Sequence, residues 1–130
     1  MIDKFQNYFD EVQQQYKTKD TTEHSYRTQF QNFITSLDQK CFPLHEAKRD
    51  KIFGAPDFKI FVNGLKVGYI ETKDLGANLD EILKSEQIKK YLLSIDNFIL
   101  TNYYRFILFR NGMIIFDIYL GYSTILTTTS

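Results

Sequence analysis

The sequence has one cysteine, two prolines, two histidines and no tryptophan. With Cys41 alone, no disulfide can close within the chain, which is compatible with a reducing compartment. A cytoplasmic setting is therefore expected. Cys41 has no catalytic context, and it reads as a buried or incidental thiol. His24 and His45 have no partner at metal-ligand spacing, so zinc is not expected. There is no GxSxG motif, no helicase P-loop and no glycine-rich cofactor loop. The net charge is zero, from 16 basic and 16 acidic residues. A free-standing, non-specific binder of nucleic acid is usually strongly basic, so this chain alone should grip a polyanion weakly. No apolar run reaches the ~20 residues that span a bilayer, and the N-terminus lacks the apolar stretch of a secretory signal.

What is present suits one compact α/β domain over residues 1–130. Apolar residues make up 43 %, and twelve Phe and nine Tyr give bulk to the core. Ile2, Phe5, Phe9, Val12 and Tyr16 recur at helical steps and predict an amphipathic first helix. Lys17 to Thr22 is polar and reads as a turn. Asp20 and Glu23 stand at capping-box spacing, and a second helix runs to about Leu37. Its inward face carries Tyr26, Phe30, Phe33, Ile34 and Leu37. A short strand and a basic loop follow, between Cys41 and Gly54. Phe58–Val62 and Leu65–Thr72 then form a hairpin at Asn63-Gly64. The pattern is helical from about Leu79 to Ile95. Phe98–Leu100 reads as a buried strand, and a second hairpin, Tyr104–Phe109 with Met113–Leu120, turns at Asn111-Gly112. The order is roughly ααβββαβββ, and the helix before Phe98 implies a crossover and hence a mixed sheet flanked by helices.

The chemistry concentrates on the first hairpin. Asp57, after Pro56, opens one strand, and Glu71 and Lys73 lie two apart near the end of the other, on one face. Asp57 joins that face only if the turn adds an odd residue, as a three-residue loop with left-handed Gly64 would. Two carboxylates and the carbonyl of Thr72 are hard oxygen ligands suited to Mg²⁺, with Mn²⁺ a possible substitute. Such an ion polarises a phosphodiester and acidifies bound water. Lys73 can orient that water or offset the charge developing on phosphate. An ordinary surface hairpin with ion pairs has the same spacing. Leu83, Gln87 and Tyr91 share a helix face; Gln87 either lies on an apolar stripe, where an amide asks for a polar site nearby, or sits half-exposed at the stripe's edge. Glu23 points toward the core side, where it either closes a cap or supports the metal site. Lys48, Arg49 and Lys51 flank the site. They read either as a solvated loop or as contacts to DNA phosphates.

These residues together resemble a known family. Gly54-Ala55-Pro56-Asp57-Phe58 and Gly68-Tyr69-Ile70-Glu71-Thr72-Lys73-Asp74-Leu75-Gly76 are similar to the Mrr-like PD-(D/E)xK nuclease domain of Type IIG/IIL and Type ISP restriction-modification enzymes. Thr22-Glu23-His24-Ser25-Tyr26-Arg27 resembles that domain's opening. Gln87-Ile88-Lys89-Lys90-Tyr91 matches its QxxxY motif, also seen in RecB-like nucleases. Leu100-Thr101-Asn102-Tyr103 and Phe109-Arg110-Asn111-Gly112 resemble its closing strands. The likeness runs from about Thr22 to Gly112.

The resemblance implies a restriction-endonuclease-like fold and a Mg²⁺-dependent endonuclease acting on double-stranded DNA. In that family the matches of Asp57 and Glu71 bind metal and that of Lys73 is catalytic. Glu23, Gln87 and Tyr91 match positions that support the site, with Tyr91 a further candidate for DNA contact. Residue 72 is Thr where alanine is frequent, and its carbonyl should still serve. No Asn-Pro-Pro-Tyr or Asp-Pro-Pro-Tyr methyltransferase motif is present. The chain is therefore expected to be the N-terminal part of a larger enzyme carrying methyltransferase and target-recognition domains, or a small stand-alone relative. The polar tail from Ser123 to Ser130 suits a boundary. A DNA repair or recombination nuclease of the same fold, and a non-catalytic DNA-contacting module, are the competing readings.

Overall fold

The computed structural model describes residues 2–18, 23–45 and 48–120, with the side chains of residues 2–3 and 23–25 outside the description. Six strands form one sheet in sequence order. They are β1 (Cys41–His45), β2 (Phe58–Val62), β3 (Leu65–Thr72), β4 (Asn97–Thr101), β5 (Arg105–Arg110) and β6 (Met113–Tyr119). All neighbours are antiparallel except β3 and β4, which run parallel. The helices are α1 (Ile2–Thr18), α2 (Glu23–Leu37), α3 (Leu79–Ile82) and α4 (Glu86–Ser94). Helices α3 and α4 make the crossover that a parallel pair requires.

The two sheet faces bury separate cores because strand side chains alternate. On one face α1 and α2 bring Tyr8, Val12, Tyr26, Phe30 and Phe33 onto Phe58 and Ile70. On the other, Leu79, Ile88 and Tyr91 pack with Tyr69, Phe98, Leu100 and Ile107. The inward stripe of α1 uses Tyr8, whereas Tyr16 is 57 % exposed. The expected cap at Asp20 lies outside the described residues, as do the side chain of Glu23 and the tail from Ser123 to Ser130. The segment from Leu79 to Ile95 is two helices, not one. Ser85 interrupts it and N-caps α4, its hydroxyl accepting from the Ile88 N–H at 3.2 Å.

The register of the first hairpin decides where the site residues point. Asn63 and Gly64 form a two-residue turn with φ of 53° and 78°, the double positive that a type I′ turn needs. The expected three-residue loop is absent. The odd residue sits instead in β3, where the pairing shifts from Phe61↔Lys66 to Ile60↔Gly68 and leaves Val67 as a bulge. Asn97 of β4 pins it, its side-chain amide donating to the Val67 carbonyl at 2.9 Å. A Cβ on Gly68 would stand 2.7 Å from the Asn97 carbonyl oxygen, so this close approach requires glycine.

Candidate active site

Carried past Phe58↔Ile70, the bulged register sets Asp57 opposite Glu71. Both lie at the carboxyl end of β3, beside the parallel strand β4, where Lys73 N–H bonds the Thr101 carbonyl at 2.8 Å. Crevices beyond the carboxyl ends of parallel strands are recurrent binding places. Here Arg27, Asp57, Glu71, Thr72, Lys73 and Asp74 line a cavity of about 300 Å³.

The two carboxylates are tied together through the backbone. The Asp57 N–H donates to Glu71 Oε1 at 3.0 Å, and Asp57 Oδ2 accepts from both the N–H and the hydroxyl of Thr72, each at 2.8 Å. Two cations face them. Arg27 of α2 reaches Asp57 Oδ1 at 3.1 Å and the Thr72 hydroxyl at 3.4 Å. Lys73 Nζ lies 3.2 Å from Glu71 Oε2 and donates to Gln87 Oε1 at 3.2 Å. The Glu71 side chain is only 7 % exposed. Burial, reinforced by the negative charge of Asp57, pushes its carboxyl up to about 7, against the pull of Lys73 and the Asp57 N–H. A buried acid so perturbed beside a charge partner in a cleft marks a functional-site candidate.

The sequence-predicted residues divide. Asp57, Glu71, Lys73 and Thr72 converge, with Thr72 turning its N–H and hydroxyl to Asp57. Gln87 reaches the cluster through Lys73, but it is exposed at the edge of α4 rather than set on the apolar stripe. Leu83 belongs to the end of α3, so Ile88 and Tyr91 carry the buried face of α4. Tyr91 is 2 % exposed, too deep to touch a phosphate. It packs under the site, and its phenol is pushed up to about 12 by burial and the charges of Glu71 and Asp57. Lys48, Arg49 and Lys51 are exposed beside the site. Arg27 was missed from the sequence, where it is one more helix cation with its partner thirty residues away. Among the described residues no three His, Cys, Asp or Glu side chains gather as a metal cluster; Asp57 and Glu71 are the two carboxylates that meet.

No family model matches the chain, and no curated protein matches it. Among solved structures, a chain of the cryo-electron-microscopy DrdV–DNA complex superimposes with a TM-score of 0.78 at 20 % identity, over 98 % of this chain. The matched region is 13 % of that neighbour's length. The likeness shows the fold: a restriction-endonuclease-like mixed sheet with helices on both faces. No helix among the described residues is long and apolar enough to cross a membrane.

Proposed function

We propose that the chain is a Mg²⁺-dependent DNA-cutting module of the PD-(D/E)xK class, acting within a restriction-modification enzyme. The observation that carries this reading is the pair Asp57 and Glu71, brought opposite each other by the bulge and joined by Lys73 and Arg27 in one cleft. The fold likeness to a chain of a protein–DNA complex supports it, as does the family resemblance of the motifs.

The donor set fits magnesium. Mg²⁺ takes one or two carboxylates and keeps several waters, and Asp57 and Glu71 supply two, with the Thr72 carbonyl as a third hard oxygen. Mn²⁺ accepts the same oxygens. The high Glu71 value also fits, since a cation there favours the ionised form that burial resists. When bound, the ion polarises the phosphodiester and acidifies a water.

The chain's own groups do the remaining work. Lys73, held between Glu71 and Gln87, presents an ammonium that orients the attacking water and offsets charge growing on the phosphate oxygens. Water adds to phosphorus, one P–O ester bond breaks, and the leaving oxygen takes up a proton. Arg27 fixes the Asp57 carboxylate and partly balances the acid pair. Tyr91 supports the site from below. The linked methyltransferase and target-recognition domains belong to this proposal, since the matched neighbour is far longer than this chain.

Calorimetric titration with Mg²⁺ tests the site: one ion should bind wild type, and Asp57→Asn should lose it. A wild type that takes up neither Mg²⁺ nor Mn²⁺ contradicts the reading.

A further inference from the structure

The carboxylates share their sheet face with a second group of side chains. Lys59 stands beside Tyr69 across the hairpin, and Phe61 beside Lys66. Asp57, Lys59 and Phe61 alternate along β2, so all three point to one side. The loop after β1 borders the same face, because Phe53 packs edge-on against Tyr69 with ring centres 5.2 Å apart. Lys48, Arg49 and Lys51 of that loop are exposed.

Lys48, Arg49, Lys51, Lys59 and Lys66 make no ion pair among the described residues, so they leave positive charge on this side of a chain whose net charge is zero. In the same loop Asp50 spends a carboxylate oxygen on the N–H groups of Ile52 and Phe53. The two strand lysines rest on rings instead. Lys59 Nζ lies 5.7 Å from the centre of Phe61 and 6.0 Å from that of Tyr69, and Lys66 Nζ lies 5.7 Å from Tyr69. A ring fixes an ammonium without neutralising it. The result is a set of oriented, uncompensated cations that begins two residues, ~7 Å of strand, from Asp57.

We propose that this face is a phosphate track: Lys59 and Lys66, with the loop cations Lys48, Arg49 and Lys51, hold the backbone of the DNA flanking the phosphate to be cut. The inference rests on the nuclease reading for its partner and adds the residues that bind. Contacts of this kind position the duplex without reading sequence.

The test uses the full-length protein and a labelled DNA duplex, in EDTA so that nothing is cut, with affinity measured across a range of salt. Each phosphate contact contributes about 0.9 to the slope of log affinity against log salt. Replacing Lys59 and Lys66 together with glutamine should lower that slope by about 2 and weaken binding roughly tenfold or more at low salt. Arginine at both positions should restore both. Mg²⁺ affinity and thermal midpoint should stay as in wild type. An unchanged slope overturns the track, and then the face covers another part of the protein. A lowered slope in a protein that binds no Mg²⁺ leaves the track standing and removes the nuclease reading instead.

Discussion

Replacing Glu71 with glutamine should stabilise the metal-free protein by an amount that grows as pH rises from about 4.5 and levels off above about 7. The Glu71 carboxyl ordinarily titrates near 4.5 and is held at about 7 in the fold. The folded state therefore binds this proton more tightly than the unfolded state. Whatever stability the proton confers is complete below pH 4.5, falls as pH rises toward 7 and is gone above it. At about 1.4 kcal/mol per pH unit, the gap corresponds to about 3 kcal/mol at pH 8. With a side chain 7 % exposed, solvent screening removes little of this. Glutamine carries no charge to bury and can still accept the Asp57 N–H. Its amide nitrogen then faces Lys73, so the gain should stop short of the full figure. A difference of 2–3 kcal/mol corresponds to roughly 5–10 °C in a domain of this size. Thermal denaturation in EDTA from pH 4 to 8 measures it: the variant should match wild type at pH 4 and exceed it at pH 8. Mg²⁺ should narrow the gap by stabilising wild type alone. A variant that is less stable at pH 8, or a difference independent of pH, refutes the argument.

Four further substitutions follow from the geometry. Lys73→Ala should leave Mg²⁺ affinity within a few-fold by calorimetry and slow cleavage by about 10²–10³, the usual effect of losing a group that stabilises the transition state. Arg27→Ala should lower metal-free stability by about 1–3 kcal/mol, since Asp57 loses its countercharge, and Mg²⁺ should then raise the melting temperature more than in wild type. Gly68→Ala should cost about 1–3 kcal/mol through contact with the Asn97 carbonyl. It should also weaken Mg²⁺ binding by disturbing the bulge, whereas Gly64→Ala, with open space around it, should cost stability through its positive φ and spare the site.

Local chemistry made much of this fold legible. Asn-Gly pairs at 63–64 and 111–112 dictate turns with positive φ at both residues, and apolar spacing fixes α1 and α2. The parity problem at Asp57 was visible, but its solution was not. The bulge at Val67 depends on Asn97, thirty residues later, and no local pattern announces that contact. Arg27 escaped for the same reason, since its partner lies on another element. The break at Ser85 was hidden because apolar spacing runs through it, and only the cap at Ile88 reveals a second helix start. Gln87 looked buried because Leu83, which ends α3, was assumed to share a helix with it and Tyr91.

The central claim is that Asp57 and Glu71 support metal-dependent cutting of DNA. The direct test is nicking of supercoiled plasmid by the full-length protein in Mg²⁺, in EDTA, and in Mg²⁺ with Asp57→Asn. Asparagine keeps an acceptor for Thr72 and leaves the fold intact, as circular dichroism should show. The account predicts nicked and linear DNA with wild type in Mg²⁺, none in EDTA, and at least about a hundredfold loss in the variant. Equal cutting by wild type and variant, or no cutting by a wild type that binds both Mg²⁺ and the plasmid, contradicts it.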